Sequence, residues 1–201
     1  MINQVCVPGS SEPGTDFCVE DVIDIFDATF LSSFNTQLIR GDDEPMYLPA
    51  SNRYAHHRIV FAHGFFRSAL HEIAHWCIAG PVRRQIVDYG YWYKPDGRST
   101  DEQRLFEQVE CKPQALEWLF CLSAGHAFEV SCDNLAAKDP AAIDIAAFTA
   151  QVERQLQTYL QQGVPQRAAM FASALQSFYN QPDPIARTTK STDLTYSTEV
   201  A

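Results

Sequence analysis

The feature of this 201-residue chain that most constrains its fold is the pentapeptide His71-Glu72-Ile73-Ala74-His75. Two histidines four residues apart on an α-helix lie one above the other on the same face. Their imidazoles can therefore meet at one metal ion, and a glutamate next to the first histidine is typical of metal-dependent enzymes. The motif predicts both a helix and a metal site.

The residues around the motif predict the helix that it requires. Phe66, Leu70, Ile73 and Cys77 recur at steps of four, three and four residues, which is the apolar stripe of an amphipathic helix. Gly80-Pro81 is a typical helix stop. The histidines lie at the edge of that stripe, where the core can hold a ligand pair beside a cavity.

Composition limits the classes of partner. A net charge of −10 argues against nucleic acid, whose phosphates would be repelled, and suits a cationic partner. No apolar run reaches membrane-spanning length and no secretory leader opens the chain, so we expect a cytoplasmic protein without a membrane partner. The six cysteines form no Cys-x-x-Cys pair and are expected to be reduced.

Periodicity along the chain predicts a mainly α (α+β) fold. We expect a single globular domain of about five or six helices with a small strand or hairpin element and the metal site on a central helix. Residues 1–16 are turn-rich and predicted to be flexible, residues 17–182 form the catalytic domain, and residues 183–201 are predicted to be a disordered tail. Besides the motif helix, helices are expected from Val19 to about Leu38, from Ser99 to Gly125 with an interruption at Pro113, from Asp139-Pro140 to Gln162, and from Pro165 onward with Phe171, Leu175 and Phe178 inward.

Two further segments lack a helical pattern. Ile59-Val60-Phe61-Ala62 is a short apolar run that could be a buried strand leading into the motif helix. The aromatic, β-branched segment 85–97 reads as one strand or a structured loop. Tyr89, Tyr91 and Tyr93 alternate within it, so they form either core packing or the aromatic wall of a substrate groove, with Tyr91 as a substrate-binding candidate.

The helix after Ser99 supplies the third metal ligand. Ser99 and Glu102 have capping-box spacing, and Leu105, Phe106 and Val109 are expected on the apolar side. Pro113 cannot donate to the carbonyl of Val109, so the helix should kink or restart beside Glu110. A carboxylate at a buried break is poorly solvated unless a cation pairs with it. Glu110 is therefore the preferred third ligand, with Glu107 and Glu117 as alternatives.

Three acidic residues form a second candidate feature. Asp42, Asp43 and Glu44 follow one another in a loop marked by Gly41 and Pro45. Such a run is either solvated surface or a rim that binds a cationic substrate.

The ligand set leaves the chemistry open. With Zn(2+), two histidines and a carboxylate are the arrangement of a metallopeptidase, and Glu72 would be the general base that activates water. With Fe(2+), the same set leaves positions for O2 and substrate, and the reaction is hydroxylation. A third alternative is a non-catalytic adaptor with a structural metal, which would need a fourth ligand from His63, His126 or a cysteine.

Residues 58–80 resemble the elongation factor P hydroxylase family. So do Arg83-Arg84, Asp88-Tyr89-Gly90-Tyr91-Trp92-Tyr93 and residues 106–118, and the resemblance runs from roughly residue 20 to residue 180. It implies a metal-dependent hydroxylase, outside the usual jelly-roll oxygenases, that uses O2 to hydroxylate the β-lysylated lysine of elongation factor P.

The resemblance also implies roles for individual residues. His71 and His75 match the family's two histidines, and the carboxylate maps best to Glu110. The expected cofactor is Fe(2+), with Zn(2+) or another divalent metal as the alternative, and Glu72 is the catalytic or orienting residue. A monomer is expected, and Asp42, Asp43 and Glu44 could receive the doubly cationic lysyl-lysine arm.

Overall fold

A computed structural model describes residues 17–42, 44–90, 96–132, 134 and 144–186. In these ranges the α-helices are α1 (Val19–Phe34), α2 (Phe66–Ile78), α3 (Thr100–Ala124), α4 (Ile145–Gln162) and α5 (Gln166–Tyr179). The strands are β1 (Thr36–Arg40), β2 (Met46–Leu48) and β3 (His57–Phe61), and two 3-10 turns span Arg83–Gln85 and Val87–Gly90. The prediction of a single, mainly helical domain with a small sheet is confirmed.

The sheet delivers the chain to the motif helix. β3 is the central strand, parallel to β1 and antiparallel to β2, and its Ile59 and Phe61 are fully buried. The predicted strand at Ile59 is thus confirmed. After β3, His63 and Gly64 take positive φ angles of 58° and 68°, which reverse the chain into α2. A Cβ atom at Gly64 would lie 3.0 Å from the Arg40 side chain, so this close approach requires glycine.

An aromatic cluster anchors the inner face of α2. The indole of Trp76 lies 5.3 Å from the ring of Phe26 and 4.9 Å from that of Phe30, both on α1. Phe171 of α5 continues the cluster and packs 5.0 Å from Phe120 of α3. Edge-to-face pairs of this kind add to the stabilisation from buried apolar area. The opposite edge of α2 is left facing α3, where its histidines lie.

The first predicted helix was too long. α1 ends at Phe34, Asn35 adopts a left-handed φ of 51°, and the chain continues as β1 rather than as helix to Leu38. Pairing with β3 satisfies the backbone of β1 and buries Leu38, whose N–H also donates to Asp27 Oδ1 at 2.9 Å. These long-range contacts outweigh the helical pattern of the local sequence.

Of the kink or restart predicted beside Glu110, the restart does not occur. The helix is continuous across Pro113, although this residue cannot donate to the carbonyl of Val109. The capping box of Ser99 and Glu102 is confirmed. Of the residues expected inward, Phe106 is buried, whereas Leu105 and Val109 are exposed, because the buried side of the first half of α3 also carries the polar residues Gln103 and Glu110.

Three outcomes concern later segments. In the segment predicted as one strand or a structured loop, Val87–Gly90 forms a 3-10 turn. Tyr91 and Tyr93 lie outside the described residues, as does the Asp139-Pro140 start predicted for the helix through Gln162. The start of α5 after Pro165 is confirmed, but Phe178 is exposed and Tyr179 takes the inward position. The five described cysteines are free thiols, and among the described helices none is long and apolar enough to cross a membrane.

Two arginines hold the C-terminal end of α2. Arg167 of α5 is buried, and its Nη2 donates to the carbonyls of Trp76, Cys77 and Ala79 at 2.8, 3.0 and 2.6 Å. Arg84 Nη1 donates to the same Ala79 carbonyl at 2.6 Å. Positive charge at a helix C-terminus is favourable, and these bonds satisfy carbonyls that have no partner within the helix. They fix α2 within one turn of His75.

We expect Arg167→Met to lower the free energy of unfolding by about 3 kcal/mol, because three buried carbonyls lose a charged donor. Arg84→Met should cost only about 1 kcal/mol, since Ala79 keeps its bond from Arg167. Urea denaturation of the two variants checks this. Equal losses would show that Arg167 is not the main cap.

Candidate metal centre

The two histidines of α2 converge as the spacing predicts. His71 Nε2 and His75 Nε2 are 3.1 Å apart, with the rings 4.7 Å apart at 71°. His75 is buried and His71 is partly buried. Both rings point from α2 toward α3.

Glu110 of α3 meets both histidines. Its Oε2 lies 3.3 Å from His71 Nε2 and its Oε1 lies 3.3 Å from His75 Nε2. The carboxylate is 1% exposed, and apart from these imidazoles neither oxygen has a partner among the described residues. Burying an ionised carboxylate in this way is costly without a cation or strong donors. A metal ion is a partner that would satisfy it.

The distances between the two imidazole nitrogens, and from each nitrogen to a different oxygen of Glu110, are compatible with a divalent metal. A metal 2.0–2.2 Å from each ligand sets neighbouring ligand atoms about 3.0 Å apart at octahedral angles and about 3.4 Å apart at tetrahedral angles. The separations of 3.1 and 3.3 Å fall between these values. Among the described residues, the cluster with metal-ligand geometry consists of His71, His75 and Glu110. Three protein ligands leave coordination positions open for other molecules.

The charged groups of the cluster shift one another's pKa values. Burial alone would raise the pKa of Glu110, but the charges of His75 and His71 and their hydrogen bonds outweigh it and hold that pKa well below its usual range. Burial alone would lower the pKa of His71, but hydrogen bonds to Glu110 and Glu117 outweigh it and raise that pKa well above its usual value. The imidazoles and the carboxylates therefore stabilise one another's charged forms.

Glu117 approaches the other side of the His71 ring. Its Oε2 is 3.0 Å from His71 Nδ1, and the carboxylate is buried. Its Oε1 accepts hydrogen bonds from Arg67 Nε at 2.9 Å and Arg67 Nη2 at 2.7 Å. Glu107, the other alternative ligand, accepts a bond from Gln103 Nε2 at 3.2 Å and lies outside the cluster. The structure therefore places Glu110 in contact with both histidines, whereas Glu117 contacts His71 and Glu107 contacts neither.

Glu72 is adjacent to the cluster but is not a member of it. It is partly exposed and makes no hydrogen bond or ion pair with any described residue. Burial raises its pKa, the charges of His75 and His71 oppose that rise, and the charges of Glu110 and Asp88 add to it. No described side chain therefore fixes the Glu72 carboxylate by a hydrogen bond.

The remaining candidates lie elsewhere. Asp42 and Glu44 are exposed between β1 and β2, while Asp43 and Tyr91 are outside the described residues. His63 lies in the turn before α2, 5.9 Å from Phe65, and His126 stacks on Phe66 at 5.0 Å. Neither histidine joins the cluster, so neither supplies the fourth ligand of a structural metal site.

A polar stripe on α3 is the part of the site that the sequence interpretation missed. Gln114 pairs with both backbone groups of Ser131, at 2.7 and 3.0 Å, and Arg67 reaches the Glu129 carbonyl. These bonds hold the segment after α3 alongside that helix. The signal was present as a polar side with helical period, namely Gln103, Glu107, Glu110, Gln114 and Glu117 at steps of four, three, four and three.

The fold and this cluster define a class of protein, namely a mainly helical protein with two histidines and one carboxylate arranged for a divalent metal. Residues 25–189 match the family described as elongation factor P hydroxylase. Over 167 residues the chain is 48% identical to the elongation factor P lysine hydroxylase of Haemophilus influenzae, an alignment covering 83% of this chain and 92% of that protein. The chain belongs to the elongation factor P hydroxylase family, as its motifs indicated.

We expect zinc, or ferrous ion under anaerobic conditions, to raise the melting temperature of the protein, and Glu110→Gln to abolish the rise. At 100 times its dissociation constant, a ligand of the folded state adds about 2.7 kcal/mol of stability. Glu107→Gln is the matched control on the same helix and should keep the metal-dependent shift. Thermal denaturation with and without metal checks this, and the reverse pattern would move the third ligand to Glu107.

Proposed function

We propose that this protein is a metal-dependent hydroxylase that uses dioxygen to hydroxylate the β-lysylated lysine of elongation factor P. The observation that carries the proposal is its family membership, with 48% identity to an elongation factor P lysine hydroxylase over most of both chains. The buried cluster of His71, His75 and Glu110 supports it, because a hydroxylase needs a centre that can activate dioxygen.

His71, His75 and Glu110 would hold the metal, and Fe(2+) is the ion we propose. Zinc fits the same donor atoms but does not change oxidation state, whereas ferrous ion when bound supplies the redox chemistry that dioxygen activation needs. Glu110 would balance part of the metal's charge in a buried environment. Glu72, which has no partner among the described residues, would orient the substrate or move a proton beside the metal rather than bind it.

The substrate arm carries two amino groups, and we propose that acidic residues guide it to the site. The net charge of −10 supports a cationic partner and disfavours nucleic acid. Asp42, Asp43 and Glu44 are the proposed rim, and Tyr91 is a further candidate for substrate contact. A translation factor as substrate implies that the enzyme acts in the cytoplasm, and the monomeric state remains a prediction.

The intact mass of lysylated elongation factor P tests the activity directly. After aerobic incubation with the protein, ferrous ion and a reductant, we expect a gain of one oxygen atom. The gain should be absent without dioxygen and absent with His71→Ala. No gain under any reductant, together with zinc-dependent cleavage of a peptide that Glu72→Gln abolishes, would replace the hydroxylase with a peptidase.

We expect the double charge reversal Asp42→Lys with Glu44→Lys to lower kcat/KM several-fold at low ionic strength, because exposed charges steer a cationic substrate. The difference should shrink at high salt, where screening acts within a few ångströms. Steady-state kinetics at two salt concentrations checks this. Glu153→Lys, a charge reversal at an exposed position of α4, is the control. Equal effects of all reversals would show that the net charge of the protein, and not the position of the acidic rim, determines kcat/KM.

A further inference from the structure

Glu117 occupies a position beside the metal cluster that none of the proposed steps uses. Its carboxylate is 3% exposed, with Oε2 directed toward His71 and Oε1 toward Arg67. A buried carboxylate in contact with the ring nitrogen of a histidine constrains which nitrogen of that ring carries the proton.

The proton arrangement follows from the two sides of the His71 ring. Nε2 faces Glu110 and His75 in the cluster, and Nδ1 faces Glu117 Oε2 at 3.0 Å. A ligand nitrogen must offer its lone pair to the metal, so Nε2 must be without a proton when metal is bound. The remaining ring proton then lies on Nδ1 and is donated to Glu117.

Arg67 holds Glu117 in that orientation. It donates from Nε and Nη2 to the same oxygen, Oε1, at 2.9 and 2.7 Å, which leaves Oε2 for the histidine. The guanidinium is itself fixed, because Nη2 also donates to the Glu129 carbonyl and the group lies 5.1 Å above the ring of Phe128. The positive charge of Arg67 compensates the burial of Glu117 without removing its capacity to accept from His71.

We propose that Glu117, oriented by Arg67, is a positioning residue that fixes His71 in the Nδ1-protonated tautomer and directs its Nε2 toward the metal. This inference rests on the proposed metal centre. It gives Glu117 a role distinct from that of a ligand, and it gives Arg67 a role through Glu117.

The tautomer can be observed directly in the intact protein. Zinc is diamagnetic and serves as the probe metal, and long-range nitrogen–proton correlation spectra of the histidine side chains report which nitrogen bears the proton. We expect His71, assigned by its loss in His71→Gln, to show a protonated Nδ1 and a metal-bound Nε2 in the zinc-loaded protein. The opposite tautomer in the wild-type protein would overturn the inference without recourse to any further variant.

Metal affinity supplies the second readout. We expect Glu117→Ala to weaken zinc binding by about 10- to 100-fold, as measured by competition with a chelator. Glu117→Gln keeps the shape of the side chain and one acceptor oxygen, so zinc affinity should fall less than in Glu117→Ala. The signal of the proton on His71 Nδ1 should persist in this variant but shift. Glu107→Gln on the same helix should leave both the affinity and the spectrum unchanged.

A double-mutant cycle separates positioning by Arg67 from a merely structural role. Arg67→Met alone should weaken zinc binding several-fold, and in combination with Glu117→Ala it should add nothing, because Arg67 acts through the removed carboxylate. Additive losses would overturn the role of Arg67. Unchanged affinity and tautomer in Glu117→Ala, with normal binding by wild type, would overturn the role of Glu117 alone. Absence of zinc binding by the wild-type protein would overturn the metal centre and this inference with it.

Discussion

The contact on which the site depends is that between the carboxylates of α3 and the histidines of α2. Glu110 and Glu117 are both almost fully buried, and an ionised carboxylate costs several kcal/mol to bury without compensation. Glu117 is compensated by Arg67 and His71. Glu110 has only the two imidazoles among the described residues, so the packing of α2 on α3 leaves one anion in need of a cation.

Contacts on the far side of α2 limit how far the helix could move to change the surroundings of Glu110. Trp76 is packed among the aromatic rings of α1, and Arg167 and Arg84 bind the carbonyls at the end of α2. A helix fixed by packing on one side and by charged caps at its end cannot rotate to relieve strain on the other side. The histidines are therefore held in place before any metal arrives, which reduces the reorganisation that binding requires.

The sequence predicted that Glu110 would contact the two histidines, but it misplaced the ends of some of the surrounding elements. The helical step of four residues in His71 and His75 is local, and local geometry alone brings their rings together. Glu110 was selected because of a break at Pro113, and the helix does not break there. Glu110 nevertheless contacts both histidines, because polar residues of α3 face inward. The same arrangement explains why Leu105 and Val109, which were predicted to face the core, are exposed.

What the sequence did not predict depends on contacts between distant residues. Arg67 and Glu117 are 50 positions apart, and Arg167 reaches carbonyls about 90 positions away. No periodicity relates such pairs, so a single sequence gives no reason to join them. The same holds for β1, where pairing with β3 replaced the helix that the local pattern favoured.

The motif on α2 does not by itself choose between hydrolysis and oxidation, since zinc and iron accept the same donor atoms. The surroundings of those atoms bear on the choice between a structural and a reactive metal site. His63 and His126, the histidines that could have supplied a fourth ligand, pack against aromatic rings, and the cluster among the described residues has three ligands. Three protein ligands are typical of reactive metal sites, whereas a structural site is closed by four. Glu72 follows His71 directly in the sequence and has no hydrogen-bond partner among the described residues, which is why we propose an acid–base or orienting role for it whichever metal is bound. The redox capacity of the metal and the identity of the substrate would then decide the reaction, and membership of a hydroxylase family is the reason we propose iron.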